Sequence, residues 1–218
     1  RSCPELQPLL ASTHNYATWD DHDFGPNNSD RSFWNKEITK EAFKTFWPST
    51  NYVTNGITNI FQWADAQFFM LDNRYFRTPN DRTTGERFVL GATQETWLID
   101  ALKSSQATFK FVAIGGQFIS TAAEYENHAI FAEERNRIIQ KIRDEKIEGV
   151  IFLSGDRHHT ELSLLQESSA VYPLYDLTVS PLTAGVHSAR KEPNMTYVDE
   201  TMVKERNFVD IEISGPAK

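Results

Sequence analysis

Cysteine is almost missing from the chain. Its 218 residues hold one, Cys3, which excludes an internal disulfide and a thiolate metal cluster. No apolar run approaches the roughly 18 residues that a membrane-spanning helix needs, so no membrane segment is expected. No signal peptide is present either; the chain opens on Arg1 and not on Met, so that absence says little about location. Basic excess is lacking too: 30 Asp and Glu outweigh 22 Lys and Arg, for a net charge of -8. Such a surface repels polyanions, so nucleic acid is not an expected partner. A phosphate substrate stays compatible, because bound cations reverse the local field. What is present suits one globular domain over 1–218: 39% hydrophobic and 12% aromatic residues, enough to build a core.

The pattern along the chain alternates between strands and helices. Ser2-Cys3-Pro4-Glu5 predicts a capped helix start, with Leu6, Leu9 and Leu10 as its buried stripe. A strand over 16–19 and a helix over 30–47, stopped by Pro48, are expected to follow. The stretch 57–76 reads as a hairpin turning at Ala64-Asp65. Helices are predicted over 92–105 and 130–146, the second with Ile138, Ile139 and Ile142 facing inward. Strands are predicted over 109–114, 150–153, 174–179 and 208–213. The strand–helix–strand run from 109 to 153 is a βαβ unit with a buried parallel pair. The fold class is therefore α/β or α+β, with helices layered on a sheet. Trp34, Trp47 and Trp97 are read as core. Asp72 and Arg74 are read as a structural ion pair, and His14, His128 and His187 as surface or core histidines.

Two clusters carry the chemistry. Asp20-Asp21-His22-Asp23 packs three carboxylates and an imidazole into four residues, too much charge to bury unpaired. Either water or cations must neutralise it. In an extended segment Asp20 and Asp21 would point opposite ways, so one carboxylate is expected on a metal and the other on a second cation or a supporting bond. The second cluster, Ser154-Gly155-Asp156-Arg157-His158-His159, follows an apolar strand, and ligand sites gather at the carboxyl ends of parallel strands. Asp156 and His158 suit iron, zinc, manganese and similar cations. Arg157 suits either bidentate phosphate binding or a nearby carboxylate. A polar turn and a packed histidine loop are the plainer readings of the two clusters.

Thr18-Trp19-Asp20-Asp21-His22-Asp23 resembles the W-D-D-H-[DE] signature of PhoD-like alkaline phosphatases/phosphodiesterases, within the calcineurin-like metallophosphoesterase superfamily. Met70-Leu71-Asp72-Asn73-Arg74 resembles that family's L-D-x-R. Leu90 to Leu98 resembles its L-G-x-x-Q-x-x-W-L, and Ser154 to His159 its S-G-D-x-H-H. The resemblance implies a β-sandwich flanked by helices, incomplete at its N-terminus. It implies Asp21, Asp156 and His158 as metal ligands and His22 as the catalytic acid or phosphate contact; Asp20 joins the expected ligands as the neighbouring carboxylate of the pair, with Arg157 and His159 auxiliary. Gln117 stands where the superfamily carries an amide or imidazole ligand. The cofactors implied are two or more di- or trivalent ions (Fe, Ca, Zn or Mn), the substrate a phosphate ester, and the location periplasmic or extracellular. The remaining ligands are expected in a missing N-terminal half of the same domain. Against this enzyme stands a non-catalytic metal-binding fragment or a purely structural domain.

Overall fold

The computed structural model describes residues 3–166, 172–187 and 192–215. Six strands form one sheet: β1 (Asn59–Trp63), β2 (Ala66–Met70), β3 (Phe109–Ala113), β4 (Val150–Ser154), β5 (Glu161–Leu165) and β6 (Leu174–Thr178). Among the described residues five α-helices accompany it: α1 (Gln7–Ser12), α2 (Asp21–Phe24), α3 (Lys36–Phe46), α4 (Gly91–Ser104) and α5 (Ala132–Asp144). The strand order is β1-β2-β3-β4-β6-β5. β2, β3, β4 and β6 run parallel, and the edge strands β1 and β5 pair antiparallel. The carboxyl ends of four strands therefore open on the same side of the sheet. The α/β expectation holds, as does the parallel pair β3–β4.

The two faces of the sheet differ. Phe69, Val112 and Phe152 are fully buried with Leu98 and Leu102 of α4 and Ile138 and Ile142 of α5 in one apolar cluster. The opposite face carries Phe61, Phe68, Ile151, Leu153, Tyr175 and Leu177, all half-buried, around a buried Phe111. Tyr16 stacks on Phe61 at 3.6 Å between ring centroids, and Phe61 on Phe68 at 4.6 Å. An open groove of about 670 Å³ runs there between Tyr16, Phe61, Phe68, Leu153 and Ile213.

The start of α4 is held from α5. Gly91 takes φ +74, which favours glycine. The Glu134 carboxylate accepts the backbone N–H groups of Val89 (2.7 Å), Leu90 (3.1 Å) and Gly91 (3.0 Å). His128 Nε2 lies 2.9 Å from the same carboxylate. This accounts for the L-G step of the third motif: an entering helix leaves N–H groups without partners, and a buried carboxylate takes them. Burial pushes the His128 imidazole below its usual pKa. We take it as neutral, donating from Nε2, and Glu134 as ionised on its backbone donors.

Several expectations need correction. No strand forms over 16–19; the segment pairs with nothing in the sheet, although Trp19 is buried against Phe24 and Phe43. The expected strand over 208–213 is likewise unpaired, with Phe208 76% exposed; an apolar alternation without a ladder partner does not make a strand. Ser2, the expected cap, lies outside the described residues, and no residue of α1 is buried, Leu9 being 53% exposed. The helix over 30–47 contracts to α3, since Asp30 accepts the Ser32 N–H and spends that stretch on turns. Trp34 is 84% exposed and not core. β5 went unread because its inward residues, Glu161 and Ser163, are polar. They face a buried polar strip with Asp176 and Thr178, the reverse of the usual signal.

Candidate metal centre

Asp20 precedes α2, which begins at Asp21, so the acidic motif is a helical turn and not an extended segment. That turn removes the expected divergence of neighbouring side chains. One carboxylate oxygen each from Asp20, Asp21 and Asp156 lies within 4.8 Å of the others, a spacing that could hold a metal ion. Asp156 comes from the turn after β4, at φ +68. The Gly155 N–H donates to the Gly115 carbonyl at 2.9 Å and ties this turn to the one after β3.

The three carboxylates differ in their surroundings. Asp20 Oδ1 accepts from Asn73 Nδ2 (2.8 Å) and Arg74 Nε (2.5 Å), and the terminal Arg74 amine pairs with the same oxygen. Asp20 Oδ2 is buried and accepts nothing. Asp21 accepts the His22 N–H at 2.7 Å and the Asn28 N–H at 2.9 Å. Burial opposes its charge, but the Asn28 N–H, the Arg74 guanidinium and the His22 N–H together hold it below the usual carboxylate range. Asp156 is pushed up to about 7 by burial, then by the charges of Asp20 and Glu126. A crowded carboxylate held off its charge and a buried oxygen without a donor both fit a cation, which would relieve each.

The other expected residues stand further out. His22 is exposed on α2. His158 takes φ +55 and donates its N–H to Ser180 Oγ. Its Nδ1 is buried without a partner, and its ring lies 4.4 Å from that of His187. It does not join the carboxylate trio. Arg157 is engaged: its guanidinium pairs with Glu192 and lies 4.3 Å over the Tyr125 ring. Of the two readings, a carboxylate partner is the one seen. His159 is buried, with Nε2 3.4 Å from Glu161 Oε2 on β5. The Gln117 amide is spent inside the fold, donating to Glu161 Oε1 (2.7 Å) and Thr178 Oγ1 (2.9 Å), so it is no ligand here.

The L-D-x-R motif resolves differently from the expected ion pair. Asp72 accepts from Trp19 Nε1 (2.7 Å) and from the N–H groups of Ile57, Arg74 and Tyr75. The Arg74 guanidinium turns instead to Asp20 and to Glu126, at 3.1 Å. Burial disfavours its charge, but Asp20 and Glu126 outweigh that and hold its pKa above the usual arginine value. Glu126 carried no sequence signal, being a lone acid in a loop; its place emerges only from the turn at Tyr125-Glu126, with φ +47 and +63.

A family model of PhoD-like phosphatases matches residues 1–214. Among solved structures, a structure of PhoD superposes with a TM-score of 0.64 at 22% identity over 78% of this chain. The chain spans 40% of that structure's length. GAP50, the anchor in the inner membrane complex of Plasmodium, gives a TM-score of 0.43 at 13% identity, covering 73% of this chain and 46% of its own. No curated protein matches. The motif order, the parallel sheet and the match over nearly all its residues agree, and the chain belongs to the PhoD-like phosphatase family.

Proposed function

We propose that the chain supplies part of a metal-dependent site that hydrolyses phosphate mono- or diesters. The observation that carries this reading is the convergence of Asp20, Asp21 and Asp156 at the carboxyl ends of parallel strands, in a chain of this family. These three would hold the ion, and an all-oxygen set suits hard cations such as calcium or manganese. Bound cations of this kind lower the pKa of a water and brace phosphoryl oxygens. His22, exposed on the turn that bears Asp21, would donate a proton to a leaving-group oxygen. His158, with a buried and unpartnered Nδ1, offers an imidazole to a second ion. Arg74 offsets the charge of the carboxylates. A periplasmic or extracellular location belongs to this same reading.

The test is metal analysis together with hydrolysis of p-nitrophenyl phosphate and bis-p-nitrophenyl phosphate. Metal-stripped protein should be inactive and regain turnover with Mn²⁺ or Ca²⁺. Asp156→Asn should abolish the recovery, and His22→Ala should lower kcat far more than Tm. Recovery unaffected by Asp156→Asn would sink the assignment. A second reading, metal binding without turnover, is favoured by the engagement of Arg157 with Glu192, which leaves that guanidinium occupied. Bound metal with no hydrolysis of either ester selects it.

A further inference from the structure

We propose that Arg74 is a positioning residue that fixes Asp20 so that a single carboxylate oxygen, Oδ2, is left for the metal. The proposal rests on the metal-site reading above. Its basis is an asymmetry within one carboxylate. Asp20 Oδ1 takes both Arg74 nitrogens and the Asn73 amide, whereas Oδ2, also buried, takes none. Turning the carboxylate so that both oxygens face the ion would break these three bonds. The ion is thereby offered one oxygen in a fixed place, and chelation by both is disfavoured.

Arg74 can do this because it is itself immobile. Its side chain is 1% exposed. It donates to Glu126 Oε2 at 3.1 Å and to the Ser29 carbonyl at 3.3 Å. Two loops and the end of β2 thus meet on one guanidinium. The wall behind Asp20 is equally fixed: a Cβ on Gly115 would lie 2.8 Å from Asp20 Cγ and 2.6 Å from Asn73 Nδ2. Arginine is required by its planar fork, which presents several N–H groups in one plane; lysine supplies the same charge as a mobile point. That difference separates positioning from a merely structural ion pair.

The experiment titrates metal-free protein with Mn²⁺ by calorimetry and records the Tm of the metal-free form. Arg74→Lys should keep Tm within a few degrees yet weaken Mn²⁺ binding roughly tenfold to a hundredfold, the range seen when a bond supporting a ligand is lost. Glu126→Asp, which keeps the charge that faces Asp156 but shortens the reach to Arg74, should weaken binding by a smaller factor, and it decides the matter if the lysine variant fails to fold. An unchanged Kd in the folded variants overturns the proposal, as does a loss that follows Tm alone. Asp20→Asn separates the two levels. If wild type binds Mn²⁺ and Asp20→Asn binds equally well, the positioning role falls while the metal site stands. If wild type binds no Mn²⁺, both fall.

Discussion

At the scale of single residues, Gly115 is the least replaceable position near the carboxylates. A methyl group there would meet the Trp19 carbonyl at 2.8 Å, and a backbone atom has no rotamer by which to yield. Gly115→Ala should therefore cost about 1–3 kcal/mol as overpacking and weaken Mn²⁺ binding. Gly116→Ala, with nothing within 4 Å of the added Cβ, should change neither; thermal unfolding and metal titration of the pair check this. His128 makes a second prediction. Its folded pKa is depressed by burial, so its contribution is present above the unfolded value near 6.5 and is lost as pH falls through the folded one. Below pH 6.5 the urea midpoint of wild type should fall faster than that of His128→Gln. Equal slopes would show that the imidazole is not held neutral. Asp20 and Asp21 were legible because charge that dense must find a cation or water, and Asp156 because it follows a buried apolar strand with histidines beside it. Arg74 was only half legible, since the motif named it but not its partner, which is chosen by a loop folding back through space.

At the scale of elements, the hold on α4 is the clearest case of a motif explained by physics. Glu134→Ala would leave the N–H groups of Val89, Leu90 and Gly91 buried without their acceptor. At about 1–3 kcal/mol for each such group, the loss should reach at least about 3 kcal/mol by urea denaturation. Glu134→Gln should recover part of it. Helices α4 and α5 and strands β1 to β4 and β6 could be read because their apolar spacing matches their period. β5 could not, since its burial is polar, and the motif Asp20 to Asp23 was read as a strand end. Asp21 accepts the His22 N–H within that four-residue helix and the Asn28 N–H from the loop beyond it, a bond pattern that apolar spacing cannot report.

At the scale of the whole molecule, strand order and the inequality of the two faces lay beyond the sequence, because half-burial looks the same as burial in an apolar run. The ladder of Phe61, Phe68, Ile151, Leu153, Tyr175 and Leu177 should bind 1-anilinonaphthalene-8-sulfonate under native conditions. Leu153→Glu should reduce that fluorescence with little change in Tm. A dark native sample would mean the face is covered in solution. The placement of the carboxylates has a thermodynamic consequence. Asp20 and Asp21 hang from a turn near one end of the chain, and Asp156 from the far end of β4. No local segment can assemble the trio, so the unfolded chain has no comparable affinity for the ion. On the proposed metal reading, folding and metal uptake would be linked equilibria. A free cation concentration a hundredfold above its Kd would add about 2.7 kcal/mol to the native state, and a chelator should lower the Tm by removing that increment.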